Sequence, residues 1–256
     1  MKQKKSLAQV FLRSQKYIGE ILSSLDIDGK IVLEIGAGPG DISVALARRA
    51  RRFFCLEVDP RFCRLLEEKF KPYANAQVIQ ADIVKFPVSR LGKNIVVFSN
   101  APYQISSKLI KHLIKYRNYL TKAFLTFQKE FAQKLLAKPF EEQYCFLSCY
   151  LEYYAKVKKI FEIPKKAFSP QPKVDSTFIE IDFYKKLPLK AKNEELLFKI
   201  IQQSFSQPRK KIINSLKLSQ SQKDFLPSLK INPSCRPGEL KLKDFVVLVD
   251  FLVERA

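Results

Sequence analysis

Histidine and cysteine are scarce in this sequence, and tryptophan is absent. The chain has one histidine, His112, and five cysteines, and no two cysteines have the CxxC spacing of a zinc or redox site. This excludes a metal centre built from histidine and cysteine, and we expect no bound metal. A scattered, odd set of cysteines in a chain without a secretory signal is typical of a reduced protein of the cytoplasm, which is the localisation that we expect.

Long apolar runs and acidic residues are also in short supply. No stretch approaches the ~18–20 uninterrupted apolar residues that cross a bilayer, so we expect no membrane-spanning segment. The chain has 46 Lys and Arg against 25 Asp and Glu, which gives a formal net charge of +21 over 256 residues. This excess favours a polyanionic partner, first nucleic acid and second an anionic membrane surface, with a lysine-biased composition as the alternative.

The basic residues form short tracts at residues 2–5, 48–52, 156–159 and 209–211. Each tract could bind phosphate groups, and each could equally be a solvated face of the protein.

Strand and helix patterns alternate along the first two thirds of the chain. Strands are predicted over residues 31–35 and in "RRFFCLEVD", "AQVIQAD" and "NIVVFSNAPY", and helices in "DISVALARRA", "PRFCRLLEEKF" and "ISSKLIKHLIKY". Asp41 is the predicted N-cap of the first of these helices, and Pro60 lies at the predicted first turn of the second. The alternation predicts a doubly wound α/β fold of the Rossmann type, with helices on both faces of a parallel sheet.

After Tyr184 the composition changes to a lysine-rich linker, "KKLPLKAKN". Only helical segments are predicted beyond Glu194. We therefore expect two domains, an α/β domain over residues 1–186 and a small helical domain over residues 190–256.

Three polar features follow successive predicted strands, where open α/β sheets bind ligands. "EIGAGPG" supplies Glu34 and the glycines 36, 38 and 40, in a GxGxG spacing that differs from the GxGxxG of a dinucleotide site. Glu57 ends the second strand and can accept hydrogen bonds from both hydroxyls of a ribose. Asp82 follows the third strand and can accept from a purine amine, with Ile83 as an apolar neighbour. Together they predict a nucleoside site without a phosphate clamp, which suits S-adenosylmethionine better than NAD.

The fourth strand ends in "NAPY", residues 100–103. Asn100 offers a side-chain oxygen, and Ala101 offers a backbone carbonyl held rigid by Pro102. These two acceptors suit the two hydrogens of one amino group, and Tyr103 offers a flat face on which a base can stack. Holding both N–H bonds draws the nitrogen of an aryl amine toward a pyramidal geometry and frees its lone pair for attack.

These motifs resemble those of the ribosomal RNA adenine dimethyltransferases. "NAPY" is similar to the family's N-x-P-Y motif, and "EIGAGPG", "LEVDP" and "ADIVKF" resemble its cofactor motifs in the same order. "AQVFL" resembles its N-terminal Q-N-F-L segment, and "FSPQPKVDST" its F-x-P-x-P-K-V-D-S segment. "FQKEFAQKLLAKP", "SFSQPRKKIINSLK" and "RPGELKLKDFVVL" also resemble the family, so the likeness covers nearly the whole chain.

The resemblance implies two sets of site residues. Those that would hold S-adenosylmethionine are Gln9, Phe11, Leu12, Glu34, Gly36, Gly38, Glu57, Val58, Asp82, Ile83 and Asn100. Those that would hold a flipped adenine are Asn100, Ala101, Pro102, Tyr103 and Phe168.

The sequence departs from the family pattern at a few positions. Val10 stands where the family has asparagine, which removes a polar contact to the cofactor. Ala101 replaces a leucine, but only its backbone carbonyl is used. Pro208 lies in a tract that is richer in arginine in the family.

Two branches of the family remain to be distinguished. One dimethylates the N6 amines of two adjacent adenines in a hairpin near the 3′ end of small-subunit ribosomal RNA, and the other modifies a large-subunit adenine and confers macrolide resistance. "FSPQPKVDS", "FQKEFAQKL" and "RPGELKLKDF" look more like the first branch. We therefore expect a monomeric enzyme acting on the immature small ribosomal subunit. A non-catalytic RNA-binding assembly factor on the same fold is the alternative from a different functional class.

Overall fold

The structure, a computed structural model, describes residues 10–100 and 103–255. Three predicted site residues, Gln9, Ala101 and Pro102, lie outside the described residues.

The described chain alternates strands and helices and then becomes helical. The strands are β1 (Phe11–Leu12), β2 (Ile31–Ile35), β3 (Arg52–Glu57), β4 (Ala76–Gln80), β5 (Ile95–Ser99), β6 (Leu120–Gln128), β7 (Ala155–Ile163), β8 (Phe168–Ser169) and β9 (Ser176–Phe183). The α-helices are α1 (Gln15–Ser24), α2 (Ser43–Arg49), α3 (Pro60–Phe70), α4 (Ser106–Lys115), α5 (Lys129–Leu136), α6 (Phe146–Tyr154), α7 (Glu194–Ser206), α8 (Ile212–Ser215), α9 (Gln220–Phe225) and α10 (Leu242–Glu254).

A seven-stranded sheet has the order β4-β3-β2-β5-β6-β9-β7. The strands from β4 to β6 run parallel to one another, and β9 pairs with β6 in the antiparallel direction. The doubly wound parallel arrangement expected from the sequence is confirmed for these five strands. Because β2 has β3 on one side and β5 on the other, the strand order reverses beside β2, and this is where such sheets open a crevice for a ligand.

The central strands β2 and β5 are apolar apart from Glu34 and Ser99, because they are covered on both faces. Every residue of β2 and of β5 is buried. On one face, Val32, Phe98 and Phe124 belong to a hydrophobic cluster that also contains buried residues of α1 and α3.

Helix α3 begins as the sequence predicts. Pro60 occupies its first turn, where the missing N–H costs no hydrogen bond. The preceding Asp59 caps the helix by accepting from the Arg61 N–H at 3.0 Å.

The predicted cap of the first predicted helix is wrong. Helix α2 begins at Ser43 with Ile42 at the N-cap position, and no side chain caps it. Asp41 instead pairs with Arg13, whose guanidinium lies 2.8 Å from the Asp41 carboxylate. A partner 28 residues away thus competes with the local capping bond.

The chain divides into two compact units. One contains residues 1–132 and 156–183, and the other contains residues 133–155 and 184–256. Residues 133–155 therefore group with the helical tail, because aromatic side chains of α6 pack on Phe198 of α7, for example Tyr150 with a ring separation of 4.8 Å. The domain boundary expected between residues 186 and 190 stays a prediction.

Within residues 10–100 and 103–255, no helix combines the length and apolar character needed to cross a bilayer. The same ranges hold no cluster of three or more His, Cys, Asp or Glu side chains placed to bind a metal ion.

Candidate active site

A cavity of about 230 Å³ opens at the carboxyl ends of β2, β3, β4 and β5, and we call it the strand-end cavity. The predicted site residues that line it are Phe11, Leu12, Glu34, Gly36, Gly38, Glu57, Val58, Asp82, Ile83, Asn100 and Tyr103. Parallel strands bring these positions together because their carboxyl ends meet at one edge of the sheet.

The glycine turn after β2 closes tightly at Gly38. This residue has φ +55°, and a Cβ atom added to it would lie 2.6 Å from the Phe11 ring. Its N–H donates to Glu57 Oε2 at 2.9 Å. Only glycine fits here, because any side chain would both strain the backbone and displace Phe11.

The Glu57 carboxylate is already largely occupied by backbone donors. Its Oε1 accepts from the N–H groups of Val58 and Asp59 at 2.8 and 2.9 Å, in addition to the Gly38 bond at Oε2. A carboxylate has about four acceptor positions, so roughly one is left for a ligand. Of the two ribose hydroxyls that the sequence predicts as partners of Glu57, the free acceptor position can bind one.

Glu34 is buried, and its Oε2 atom has no hydrogen-bond partner among the described residues. Burial raises the pKa of Glu34 to about 8, and the nearby charges of Glu57 and Asp41 add to this, while Ser43 opposes it. The carboxyl is therefore mostly protonated at neutral pH. An unpaired buried oxygen beside a cavity fits a ligand that brings a polar or cationic group to it.

The wall after β4 combines one acceptor with apolar surface. Asp82 is exposed and accepts from the Val84 N–H through Oδ1 at 3.0 Å. Ile83 is buried, whereas Val58 on the neighbouring strand end is 49% exposed. Val58 and Ile83 thus give this wall apolar surface, and Asp82 gives it a carboxylate acceptor.

Asn100 and Tyr103 form the last part of the cavity wall. Asn100 follows β5 directly and is half-buried. The Tyr103 hydroxyl lies 2.8 Å from Ser176 Oγ, and its carbonyl accepts from Ser106 Oγ at 2.8 Å. Burial raises the pKa of Tyr103, which keeps the phenol neutral. The ring is thus held at its hydroxyl, and the backbone that carries it is held at the carbonyl, beside the cavity.

Comparison with known protein families assigns this chain to one family. A family model described as "Ribosomal RNA adenine dimethylase" matches residues 1–254. The chain belongs to this family.

Relatives and solved structures agree with the assignment. The "Ribosomal RNA small subunit methyltransferase A" of Lysinibacillus sphaericus (strain C3-41) is 32% identical over 97% of this chain and 90% of its own length. A dimethyladenosine transferase from Plasmodium falciparum has a TM-score of 0.81 at 26% identity, over 96% of this chain and 98% of its own. The 23S rRNA methyltransferase ErmE has a TM-score of 0.76 at 22% identity, over 95% and 99%, and shows a shared fold.

In this member of the family, the N-terminal segment is held by the segment around Phe168. Strand β1 pairs with β8 in the antiparallel direction, with Leu12 opposite Phe168. The N–H groups of Arg13 and Ser14 both donate to the Ala167 carbonyl, at 2.8 and 3.2 Å. The two motifs are far apart in sequence, yet they form one two-stranded sheet.

Phe168 does not line the strand-end cavity in this structure. It is 4% exposed and belongs to the hydrophobic cluster beneath the sheet. Its predicted contact with a target base stays a prediction. Val10, the departure from the family pattern, lines the cavity and packs against the same cluster.

His112, the one histidine of the sequence, does not lie on the surface. His112 is buried, its Nε2 lies 2.9 Å from the Phe86 carbonyl oxygen, and its ring is 4.8 Å from that of Tyr116. Burial lowers the pKa of His112. Helix α4 is thereby tied to the loop that carries Asp82. The amphipathic spacing of α4 could have signalled this burial.

Gln104 and Ile105 also line the cavity and were not predicted. They follow directly on Tyr103 in the same short 3-10 turn, so their proximity to the "NAPY" motif is the signal that could have found them.

The basic tract at residues 48–52 lies at the other edge of the sheet. Arg52 begins β3, whereas the cavity lies at the carboxyl end of that strand. Arg48 donates to the Tyr73 hydroxyl at 2.9 Å, and Arg49 binds Asp28 and the carbonyl oxygens of Leu22 and Leu25. These two arginines therefore stabilise the fold.

Proposed function

We propose that the protein transfers methyl groups from S-adenosylmethionine to the N6 amines of two adjacent adenines in a hairpin near the 3′ end of small-subunit ribosomal RNA. The observation that carries this proposal is that Asn100 lines the same cavity as Glu34, Glu57 and Asp82. The amine-binding motif and the nucleoside-binding carboxylates therefore face one space. The name shared by the relatives, small subunit methyltransferase A, supports the choice of RNA.

Different residues of the strand-end cavity would bind different parts of the cofactor. Ile83 and Val58 would contact the adenine ring, Asp82 would accept from its amine, and Glu57 would use its remaining acceptor position for one ribose hydroxyl. Glu34 would meet the charged end of the molecule with its unpaired oxygen. Phe11 and Leu12 of β1, together with Gln9, would cover the site, and Gly36 and Gly38 would let the backbone approach.

S-adenosylmethionine supplies an electrophilic methyl group on a cationic sulfur. The protein's part is to prepare the amine: the side-chain oxygen of Asn100 and the backbone carbonyl of Ala101 accept its two hydrogens, and Tyr103 supports the ring plane. Held by Asn100 and Ala101, the amine nitrogen would accept the methyl group, would then carry a positive charge and would lose its proton to water. A side-chain base is therefore not required, which suits a cavity whose walls contain no histidine or lysine among the described residues.

The target adenine must leave the base stack of its RNA before it can enter this cavity. A base in a hairpin loop is cheaper to flip than one in a duplex, since unstacking costs only about a few kcal/mol. Pro102 would fix the Ala101 carbonyl, and Phe168 would contact the flipped base from the far side. We propose that the protein acts as a monomer on the immature small subunit, in the cytoplasm where subunits are assembled.

The test is to incubate the protein with labelled S-adenosylmethionine and with undermethylated small and large ribosomal subunits, and then to map the labelled bases. We expect label on two adjacent adenines of the small-subunit RNA. Label on a large-subunit adenine would instead indicate the other branch of the family. Binding of subunits without any transfer of label would indicate a non-catalytic assembly factor.

A further inference from the structure

Thr126 of β6 is a buried polar residue that the proposed reaction does not yet use. It is 0% exposed, and its hydroxyl oxygen has no hydrogen-bond partner among the described residues. Burying a hydroxyl without a partner costs free energy, and valine has nearly the same shape without this cost. The Thr126 hydroxyl therefore does not stabilise the described fold.

The strand register places Thr126 beside Asn100. In the parallel pairing of β5 with β6, Phe98 stands opposite Phe124 and Ser99 opposite Leu125. The next pair in this register is residue 100 and Thr126. Adjacent strands are about 4.8 Å apart, which is within reach of two short polar side chains.

The two side chains also share a face of the sheet. Phe98 and Asn100 both line the strand-end cavity, so they project from the same side. Phe124 is paired with Phe98, and Thr126 lies two residues further along β6, which returns its side chain to that side.

Tyr103 gives independent support for this placement. Its hydroxyl bonds to Ser176 Oγ on β9, the strand on the other side of β6. Ser176 faces Gln128 and Phe178 faces Thr126, so Ser176 and Thr126 lie on the same face. Thr126 thus lies on the strand between β5, which Asn100 follows, and β9, which carries the hydrogen-bond partner of Tyr103.

We propose that Thr126 is a positioning residue for methyl transfer, whose hydroxyl oxygen accepts a hydrogen bond from the side-chain NH₂ of Asn100 when a target adenine is bound. This rests on the proposed function, in which the Asn100 side-chain oxygen accepts from the adenine amine. An amide side chain can present either its oxygen or its NH₂ to a ligand, and only the first orientation accepts. A bond from the NH₂ to Thr126 selects that orientation. Catalytic hydrogen bonds often form fully only once the substrate is bound, and this accounts for the unpaired hydroxyl in the free protein.

The test compares Thr126→Val, Thr126→Ser and the unchanged protein. Methyl transfer to undermethylated small subunits is measured as kcat, S-adenosylmethionine affinity by calorimetry, and stability by thermal unfolding. The control is Thr121→Val on the same strand, because Thr121 lies five residues from Thr126, at the irregularity of the β5–β6 pairing, and donates to the Ile95 carbonyl at 3.3 Å.

We expect Thr126→Val to lower kcat by about tenfold or more, the effect of losing one orienting hydrogen bond in the reacting complex. Its cofactor affinity should stay within about twofold, and its melting temperature should be unchanged or higher, because an unpaired buried hydroxyl has been removed. Thr126→Ser should retain most of the activity, and Thr121→Val should keep kcat.

Three results would overturn the assignment. One is a Thr126→Val enzyme with normal kcat, and another is a loss of kcat matched by a loss of cofactor affinity or stability. In both cases the unchanged protein still methylates adenine, so the proposed function stands and only the role of Thr126 falls. If the unchanged protein transfers no methyl group, the proposed function is wrong and the role of Thr126 is overturned with it.

Discussion

Among the residues of the candidate site, Glu34 is the one whose burial most clearly lowers the stability of the folded protein. Burial raises its pKa from an ordinary 4.5 to about 8. Between these values the folded protein binds a proton that the unfolded chain does not bind. The free energy of unfolding therefore falls as pH rises through this window.

We predict that urea unfolding will show this loss of stability between about pH 5 and pH 8, and that Glu34→Gln will reduce it. Glutamine keeps the shape and cannot ionise. If the two proteins lose stability in parallel over this range, the carboxyl is not responsible. Glu57→Gln is not a useful control, because that carboxylate holds three backbone N–H groups.

Asn100 is the residue on which the proposed methyl transfer depends. We predict that Asn100→Ala lowers kcat by about a hundredfold or more, the range seen when one donor or acceptor at a reacting centre is removed. S-adenosylmethionine affinity should change by only about a few fold, since the carboxylates of the cavity are the groups proposed to hold the cofactor. Calorimetry and methyl-transfer kinetics on the same preparation separate the two effects.

Gln104→Ala is a matched control for Asn100→Ala, because Gln104 also carries an amide and lines the same cavity. It should keep kcat within about threefold, as expected for a side chain outside the reacting centre. Near-normal kcat in Asn100→Ala would remove the basis for the amine-binding mechanism.

At the scale of elements, helix α4 follows the motif at residues 100–103 and is joined to the loop that carries Asp82. The link is the bond between His112 Nε2 and the Phe86 carbonyl, which requires a proton on Nε2. We predict that His112→Ala weakens S-adenosylmethionine binding about fivefold, the effect of about one buried hydrogen bond, with a smaller change in kcat. His112→Gln, which can donate to the same carbonyl, should recover part of the affinity. Equal affinities for the alanine variant and the unchanged protein would show that the loop holds its position without the histidine.

The elements differ in how well the sequence predicts them. Strands such as β2 and β5 are mostly apolar runs between clear breaks, so their positions follow from composition. The two-residue strands β1 and β8 are too short to show a hydrophobic pattern. They form because they pair with each other, although more than 150 residues separate them. The antiparallel direction of β9 is set by its pairing with β6 and not by its composition.

The site shows the same division between local and distant causes. Most predicted cavity residues were found because each follows a strand directly, and parallel strands end at one edge. The cap at Asp41 was predicted wrongly, and the burial of His112 was not predicted, because their partners, Arg13 and Phe86, are 28 and 26 residues away. Thr126 gives no signal in the sequence at all, since a threonine in a strand is ordinary and only the register places it beside Asn100.

At the scale of the whole molecule, the net charge of +21 must be divided between basic residues that serve the fold and those free to bind phosphate. Arg48 and Arg49 are engaged within the fold, whereas Arg209, Lys210 and Lys211 are exposed. A basic side chain that binds a phosphate releases counterions, so each such interaction adds to the dependence of binding on salt.

We predict that binding of the protein to undermethylated small subunits weakens linearly in a plot of log K against log salt concentration. Arg209→Gln with Lys210→Gln should reduce the slope by about two, one unit for each phosphate group that is no longer neutralised. The control pair is Arg51→Gln with Arg52→Gln, which removes the same charge at the sheet edge opposite the cavity and should leave the slope unchanged. If the two double variants reduce the slope equally, net charge alone governs binding. If neither reduces it, the tract at residues 209–211 does not bind phosphate.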